Sequence, residues 1–124
     1  MTKEALIFMN ACMEELNIPY EFMVWGSDLE FPYFVGEYQE QAPINEDGYE
    51  EGTFILTGTN TGNFLDLENI KQMIHDYFGN EGLTAILDSG SGIAVSYDSS
   101  FPIQSEDQDI FRIQINLHIQ EWRC

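Results

Sequence analysis

Apolar residues recur at helical spacing near the start of the chain. Leu6, Met9 and Met13 lie three or four residues apart, which places them on one face of an α-helix. The side chain of Thr2 is suited to cap the N-terminus of this helix, and Pro19 is a residue that helix interiors exclude. The pattern therefore predicts an amphipathic helix of about four turns whose apolar face packs on a core.

A second helical pattern occupies the middle of the chain. Leu67, Ile70 and Ile74 share one helix face. Asp66 is the predicted N-cap, because the apolar residues before and after it can pack together as a hydrophobic staple. Gly79 follows the last apolar residues of the pattern and predicts the end of the helix.

Six segments rich in branched and aromatic residues are typical of β-strands, and they span residues 20–25, 31–41, 53–59, 84–88, 93–98 and 111–120. The last is the clearest, because apolar and polar residues alternate without a break from Phe111 to Gln120. Such alternation predicts a strand with one dry face and one polar face. The acidic segments 42–52 and 99–109 are predicted to be loops.

The order of these elements is one helix, three strands, a second helix and three more strands. Antiparallel strands joined by hairpins, with two amphipathic helices packed on one face, bury all the apolar surfaces economically. We therefore predict an α+β fold with a mainly antiparallel sheet. The chain has 124 residues and neither a repeat nor a linker, so we expect one domain over residues 1–124.

The charge of the chain restricts its partners. Twenty-two acidic residues against four basic ones give a formal net charge of −18. Binding to nucleic acid or to an anionic membrane requires clustered Lys and Arg, so neither is expected. The acidity indicates either simple solubility, or a surface that repels polyanions or binds a basic partner. Without a signal segment or a membrane-spanning apolar run, we expect the cytoplasm as the compartment.

Candidate catalytic and metal-binding residues do not form a recognisable motif. His75 and His118 are the only histidines, and no third ligand lies at a zinc-site spacing. Around Gly48 the EF-hand pattern fails, because Pro43 and Phe54 occupy the first and last ligand positions. An enzyme would require a coupled carboxylate pair in a cleft. We predict no catalytic residue, no metal and no cofactor.

Aromatic residues on the second predicted strand are candidates for a subunit interface, and a core role is equally open for them. Tyr33, Val35 and Glu37 share one face of that strand, whereas Tyr38 lies on the other. Together with acids of the predicted loops, the candidates for an interface or a lumen are Tyr33, Val35, Glu37, Tyr38, Glu46, Asp47, Glu50, Glu51, Glu106, Asp107 and Asp109.

Four segments resemble the tail-terminator or tail-completion proteins of long-tailed phages and prophages: YFVGEY at 33–38, TFILTG at 53–58, AILDSGSGIAV at 85–95 and RIQINL at 112–117. The resemblance implies a non-catalytic subunit of a ring, a hexamer in this family, that caps the tail tube and joins it to the head. The implied partners are further copies of the chain, tail-tube proteins and head-connector proteins. DNA would pass without specific binding, and the protein would move from the host cytoplasm to the virion tail.

A different class of function is an acidic inhibitor or DNA mimic that occupies a basic site on another protein. A mimic is expected to arrange its carboxylates along one convex face. A ring subunit is expected to concentrate them in loops and to keep strand surface free for burial. The predicted loops contain Glu46, Asp47, Glu50, Glu51, Glu106, Asp107 and Asp109, and this placement favours the ring. A charge of −18 per copy also predicts strong repulsion between subunits.

Overall fold

The computed structural model describes residues 2–23, 31–40, 49–79, 81–104 and 109–122. The elements in chain order are α1 (Lys3–Glu15), β1 (Tyr20–Phe22), β2 (Tyr33–Glu40), β3 (Tyr49–Thr61), α2 (Leu65–Phe78), β4 (Leu83–Ile86), β5 (Gly92–Ile103) and β6 (Ile110–Trp122). The predicted order of helices and strands and the α+β class are confirmed.

The strands form one six-stranded sheet in the order β1-β2-β3-β6-β5-β4. Four of the five pairings are antiparallel, as predicted. The sheet is therefore mainly antiparallel, and the exception is β1, which pairs with β2 in parallel. This register sets Tyr20 beside Phe34 and Phe22 beside Gly36, so both aromatic rings of β1 reach the core side of the sheet.

Two strands extend into segments that were predicted to be loops. Glu50 and Glu51 belong to β3, and residues 99–103 belong to β5. The cause is β6, whose thirteen residues all pair with β3 and most of which also pair with β5. Backbone pairing with a long neighbour outweighs the low strand propensity of acidic residues. Residues 42–48 and 105–108 of the predicted loops lie outside the described residues.

Both helices pack on the same face of the sheet, as predicted. In the register, Phe34, Leu56 and Ile115 point to this face, and all three are fully buried. Burying a side chain of this size contributes about 1.5–3 kcal/mol. The buried residues that complete the core are Ala5, Met9, Cys12, Met13, Ile18, Phe54, Leu67, Ile74, Phe78, Ile93, Val95, Ile113, Leu117 and Ile119.

The second helix begins and ends close to its predicted bounds, with one correction. α2 starts at Leu65, so Asp66 lies inside the first turn and is not the N-cap. Phe64 is the N-cap residue and its side chain makes no capping hydrogen bond; one residue earlier, Asn63 Oδ1 accepts a hydrogen bond from Asp66 N at 3.1 Å. Gly79 ends the helix with a positive φ of 69°, a conformation that favours glycine.

The first turn of α1 is attached to the end of β6. Thr2 caps the helix as predicted, with Oγ1 accepting a hydrogen bond from Ala5 N at 3.1 Å. Thr2 N and Thr2 Oγ1 in turn donate to the two carboxylate oxygens of Glu121 at 3.2 and 3.0 Å. Glu121 is only 2% exposed. A desolvated carboxylate therefore fixes where α1 lies on the sheet.

We expect Glu121→Ala to lower the free energy of unfolding by about 1–3 kcal/mol, because Thr2 loses both of its hydrogen-bond acceptors in a buried position. Glu14→Ala, at an exposed position on α1, is the matched control and should have little effect. Urea unfolding measures both variants. A double-mutant cycle with Thr2→Ala should show a coupling of about 0.5–3 kcal/mol, and strictly additive losses would contradict the contact.

The backbone of Gly58 lies close to the ring of Phe34, and this contact gives a second prediction about stability. A Cβ atom on Gly58 would lie 2.4 Å from the ring of Phe34, which is fully buried and has no room to move. We expect Gly58→Ala to cost about 1–3 kcal/mol by overpacking. Gly92→Ala is the control, since the added atom would meet Trp122 at an ordinary 3.6 Å. Equal denaturant midpoints for the two variants would refute this account.

Candidate interaction surface

The face of the sheet opposite the helices is here called the open face. Strand alternation places the side chains of Thr53, Ile55 and Thr57 on it, between those of the neighbouring strands. Its other members include Glu21 of β1, Tyr33, Val35, Glu37 and Gln39 of β2, Glu51 and Thr59 of β3, Arg112, Gln114, Asn116, His118, Gln120 and Trp122 of β6, Ala94, Ser96, Ser99 and Phe101 of β5, and Thr84 and Ile86 of β4. Neither α1 nor α2 covers this surface.

Amides and hydroxyls form an ordered network in the centre of the open face. Gln114 Nε2 donates to Asn116 Oδ1 at 3.0 Å, and Asn116 Nδ2 donates to Ser99 Oγ at 3.1 Å. Gln114 and Asn116 are half-buried by their neighbours on the sheet. The network holds these side chains in place, so that little conformational entropy remains to be lost when another surface binds.

The open face carries few charges for a chain this acidic. Among the described residues, its acids are Glu21, Glu37 and Glu51. Arg112 adds a positive charge, and His118 Nε2 lies 3.8 Å from the Glu51 carboxylate. Most of the described acidic side chains therefore lie elsewhere. Two copies of the chain would repel each other least if this face took part in their contact.

The structure places the four interface candidates of β2 on two different faces of the sheet. Tyr33, Val35 and Glu37 lie on the open face. Tyr38 points to the helix side, where its ring stacks on that of Phe22 at a centroid distance of 6.0 Å. Tyr38 is half-buried there and packs against the core. The open face thus includes three of these four residues.

The acidic candidates are also divided between the two faces. Glu50 lies on the helix side, opposite Glu121, whereas Glu51 lies on the open face near His118. Asp109 is exposed in the turn before β6, and its carbonyl oxygen accepts a hydrogen bond from Gly62 N at 3.3 Å. The remaining candidates, Glu46, Asp47, Glu106 and Asp107, lie outside the described residues.

An apolar surface that the sequence analysis missed lies at the β4 edge of the open face. Ile86 is 78% exposed and Trp122 is 45% exposed. Gly92 pairs with both residues and lies between them, and together with Thr84, Ala85 and Ile93 they line a shallow hollow of about 330 Å³. We call this surface the β4 patch. Only the strand register brings Ile86 and Trp122 together, because they are far apart in sequence.

A second apolar hollow, the α1–β1 groove, lies at the opposite edge of the sheet. It has a volume of about 250 Å³, and its lining residues are Lys3, Leu6, Ile7, Asn10, Tyr20 and Phe22. Ile7 is 60% exposed. Burial raises the pKa of Tyr20 to about 12. Small-molecule sites usually measure about 300–1,000 Å³ and contain several converging polar groups, so the groove is better suited to an apolar protein side chain.

The two histidines lie in separate surroundings. The ring of His75 contacts Tyr97 edge-on at 4.7 Å and lies 3.4 Å from an Asp76 carboxylate oxygen. His118 is on the open face. Within the described ranges, no group of three His, Cys, Asp or Glu side chains is arranged to hold a metal ion. No helix in the described part of the chain is long and apolar enough to cross a membrane.

The raised pKa of Tyr20 predicts a loss of stability in alkali. The phenol ionises near pH 10 in the unfolded chain and near pH 12 in the folded one, so its contribution is complete below about pH 10 and is lost as the pH rises towards 12. Tyr20→Phe should reduce this alkaline loss. The free energy of unfolding, measured in urea across that range, provides the test, and parallel curves for the two proteins would contradict it.

Comparison of the chain with models of known protein families and with curated protein sequences gives no match.

Proposed function

We propose that the chain is a non-catalytic structural subunit of the tail-terminator type, whose copies associate into a ring that caps a phage tail tube and joins it to the head. One observation carries the proposal: a chain with a net charge of −18 keeps one broad, ordered sheet face with few charges. The resemblance of four strand and turn segments to this family gives the proposal its particular form.

Electrostatics favours the open face as a surface for other subunits. Any contact between two strongly acidic copies has to overcome their repulsion, which is greatest where carboxylates face each other. At the open face, the amide and hydroxyl groups of Asn116, Gln114 and Thr57 can form hydrogen bonds across an interface instead. Interfaces of this kind combine a few apolar anchors with a polar, hydrogen-bonded surround.

The remaining acidity suits a ring through which DNA travels. Carboxylates do not bind phosphates, and they keep a polyanion from adhering to the protein. The tail-tube and head-connector proteins are the further partners in this proposal. The virion tail is the final location, after assembly in the host cytoplasm.

A second candidate function is supported by the charge of the helix layer. Glu14, Glu15, Asp66 and Asp76 are exposed on α1 and α2, on the side of the molecule away from the open face. Exposed carboxylates gathered on one layer of the molecule are the arrangement expected of an acidic mimic that occupies a basic protein site. Such a protein would bind its target without associating with further copies of itself. The oligomeric state therefore distinguishes the ring subunit from the mimic.

We expect light scattering to detect a ring-sized species, six times the 14.3 kDa of one chain for a hexamer, that increases with protein concentration and with salt. Salt should favour the ring, because the screening length falls to about 8 Å at physiological ionic strength and the repulsion between copies weakens. A chain that stays monomeric at every concentration, and also when tail-tube and connector proteins are added, would overturn the ring and favour the mimic.

Two matched substitutions test the role of the open face. Asn116→Asp places one negative charge in the centre of the face, whereas Asn69→Asp places the same charge on an exposed position of α2. Like charges forced together at an interface cost several kcal/mol, so Asn116→Asp should weaken assembly at least about tenfold. Asn69→Asp should change it little. Equal effects in light scattering, with both monomers folded, would exclude the centre of the open face from the contact.

A further inference from the structure

We infer that the contact between neighbouring copies is head-to-tail, with the β4 patch of one copy seated in the α1–β1 groove of the next. This inference rests on the proposed ring: the β4 patch is the edge of the open face that meets the next copy, and the α1–β1 groove on the helix side of that copy receives it. The β4 patch presents Ile86 and Trp122, and the α1–β1 groove presents Ile7, Tyr20 and Phe22.

The position of the two surfaces favours this arrangement. The groove lies on the helix side of the sheet at β1, whereas the patch lies on the open face at β4, so one copy presents the two surfaces on different faces of its sheet. A contact between two different surfaces repeats from copy to copy, and it closes into a ring when the rotation per copy permits. A contact of one surface with itself would stop at a dimer.

Within the β4 patch, Ile86 is the side chain that can enter the groove. Ile86 is the most exposed large apolar residue of the described chain, at 78%. It stands on a four-residue edge strand and projects from the sheet. The α1–β1 groove is concave, and most of its lining side chains are apolar. Inserting an apolar side chain into such a groove removes both surfaces from water.

Charges near the two surfaces favour the same pairing. Lys3, one of only four basic residues in the chain, lines the α1–β1 groove. Glu81 and Asp88 are exposed just before and just after β4. A patch-to-groove contact therefore brings Lys3 towards acidic residues. A patch-to-patch contact would bring Glu81 and Asp88 towards their own copies, and a groove-to-groove contact would oppose two lysines.

Cysteine cross-linking in the full chain tests the contact directly. All variants carry Cys124→Ser, and Cys12 is retained because it is buried and burial raises the pKa of its thiol. A thiol in that state reacts slowly. Ile7→Cys and Ile86→Cys replace exposed residues and should fold normally. The pair of Met73→Cys with Ile86→Cys is the matched control, because Met73 is an exposed apolar residue outside both surfaces.

Mild oxidation of a mixture of Ile7→Cys and Ile86→Cys should produce covalent dimers, and neither variant alone should do so. The double variant Ile7→Cys/Ile86→Cys should form a ladder of products that ends at the size of the ring. The Met73→Cys control should yield little cross-linked product. Independently, Ile86→Glu should weaken assembly at least about tenfold in light scattering, as expected for an anchor side chain.

Three outcomes would overturn the inference, and they are distinguishable. Dimers formed by Ile86→Cys alone would show that the β4 patch meets itself. Ring-sized particles without a cross-link in the double variant would reject this contact and leave the proposed ring intact. Monomers under all conditions, with no cross-link, would reject both the contact and the proposed function.

Discussion

The pairing of β6 with its two neighbours is the interaction on which the rest of the structure depends. All of its thirteen residues pair with β3, and β5 follows it on the other side from Gly92–Trp122 to Ile103–Arg112. Strict alternation along β6 directs Ile113, Ile115, Leu117 and Ile119 to the helices and the amides to the open face. A register shift of one residue would exchange these two sets, burying amides and exposing the core. The dry face and the polar face of the whole sheet are thus determined together.

The spacing of apolar residues was sufficient to predict the helices and strands in which that spacing is most regular. The two helices and β6 lie close to their predicted bounds, because apolar periodicity reflects which side faces the core and needs no knowledge of the partner. The parallel direction of β1 was not predictable, since it depends on pairing with Phe34 and Gly36 across the ten residues 23–32 that connect the two strands. The strand conformation of Glu50 and Glu51 likewise comes from β6 and not from their own propensity.

The candidate surface was only partly visible in the sequence for the same reason. Alternation on β2 correctly separated Tyr33, Val35 and Glu37 from Tyr38, but it did not reveal which set was buried. The rings of Phe22 and Tyr38 meet only when β1 lies beside β2. The β4 patch requires Ile86 and Trp122 to be aligned through Gly92. Strand register therefore brings the residues of such a surface together. The sequence of a single strand does not determine that register.

The central position of β6 also affects how the chain folds during synthesis. β6 follows every other strand in the sequence, yet β3 and β5 both need it as a neighbour. Until the ribosome has released it, the growing chain presents two long strand edges with unsatisfied backbone groups, which promote aggregation. The acidic residues already synthesised repel other nascent chains during this interval. The negative charge that opposes the association of folded copies would therefore reduce aggregation of the nascent chain.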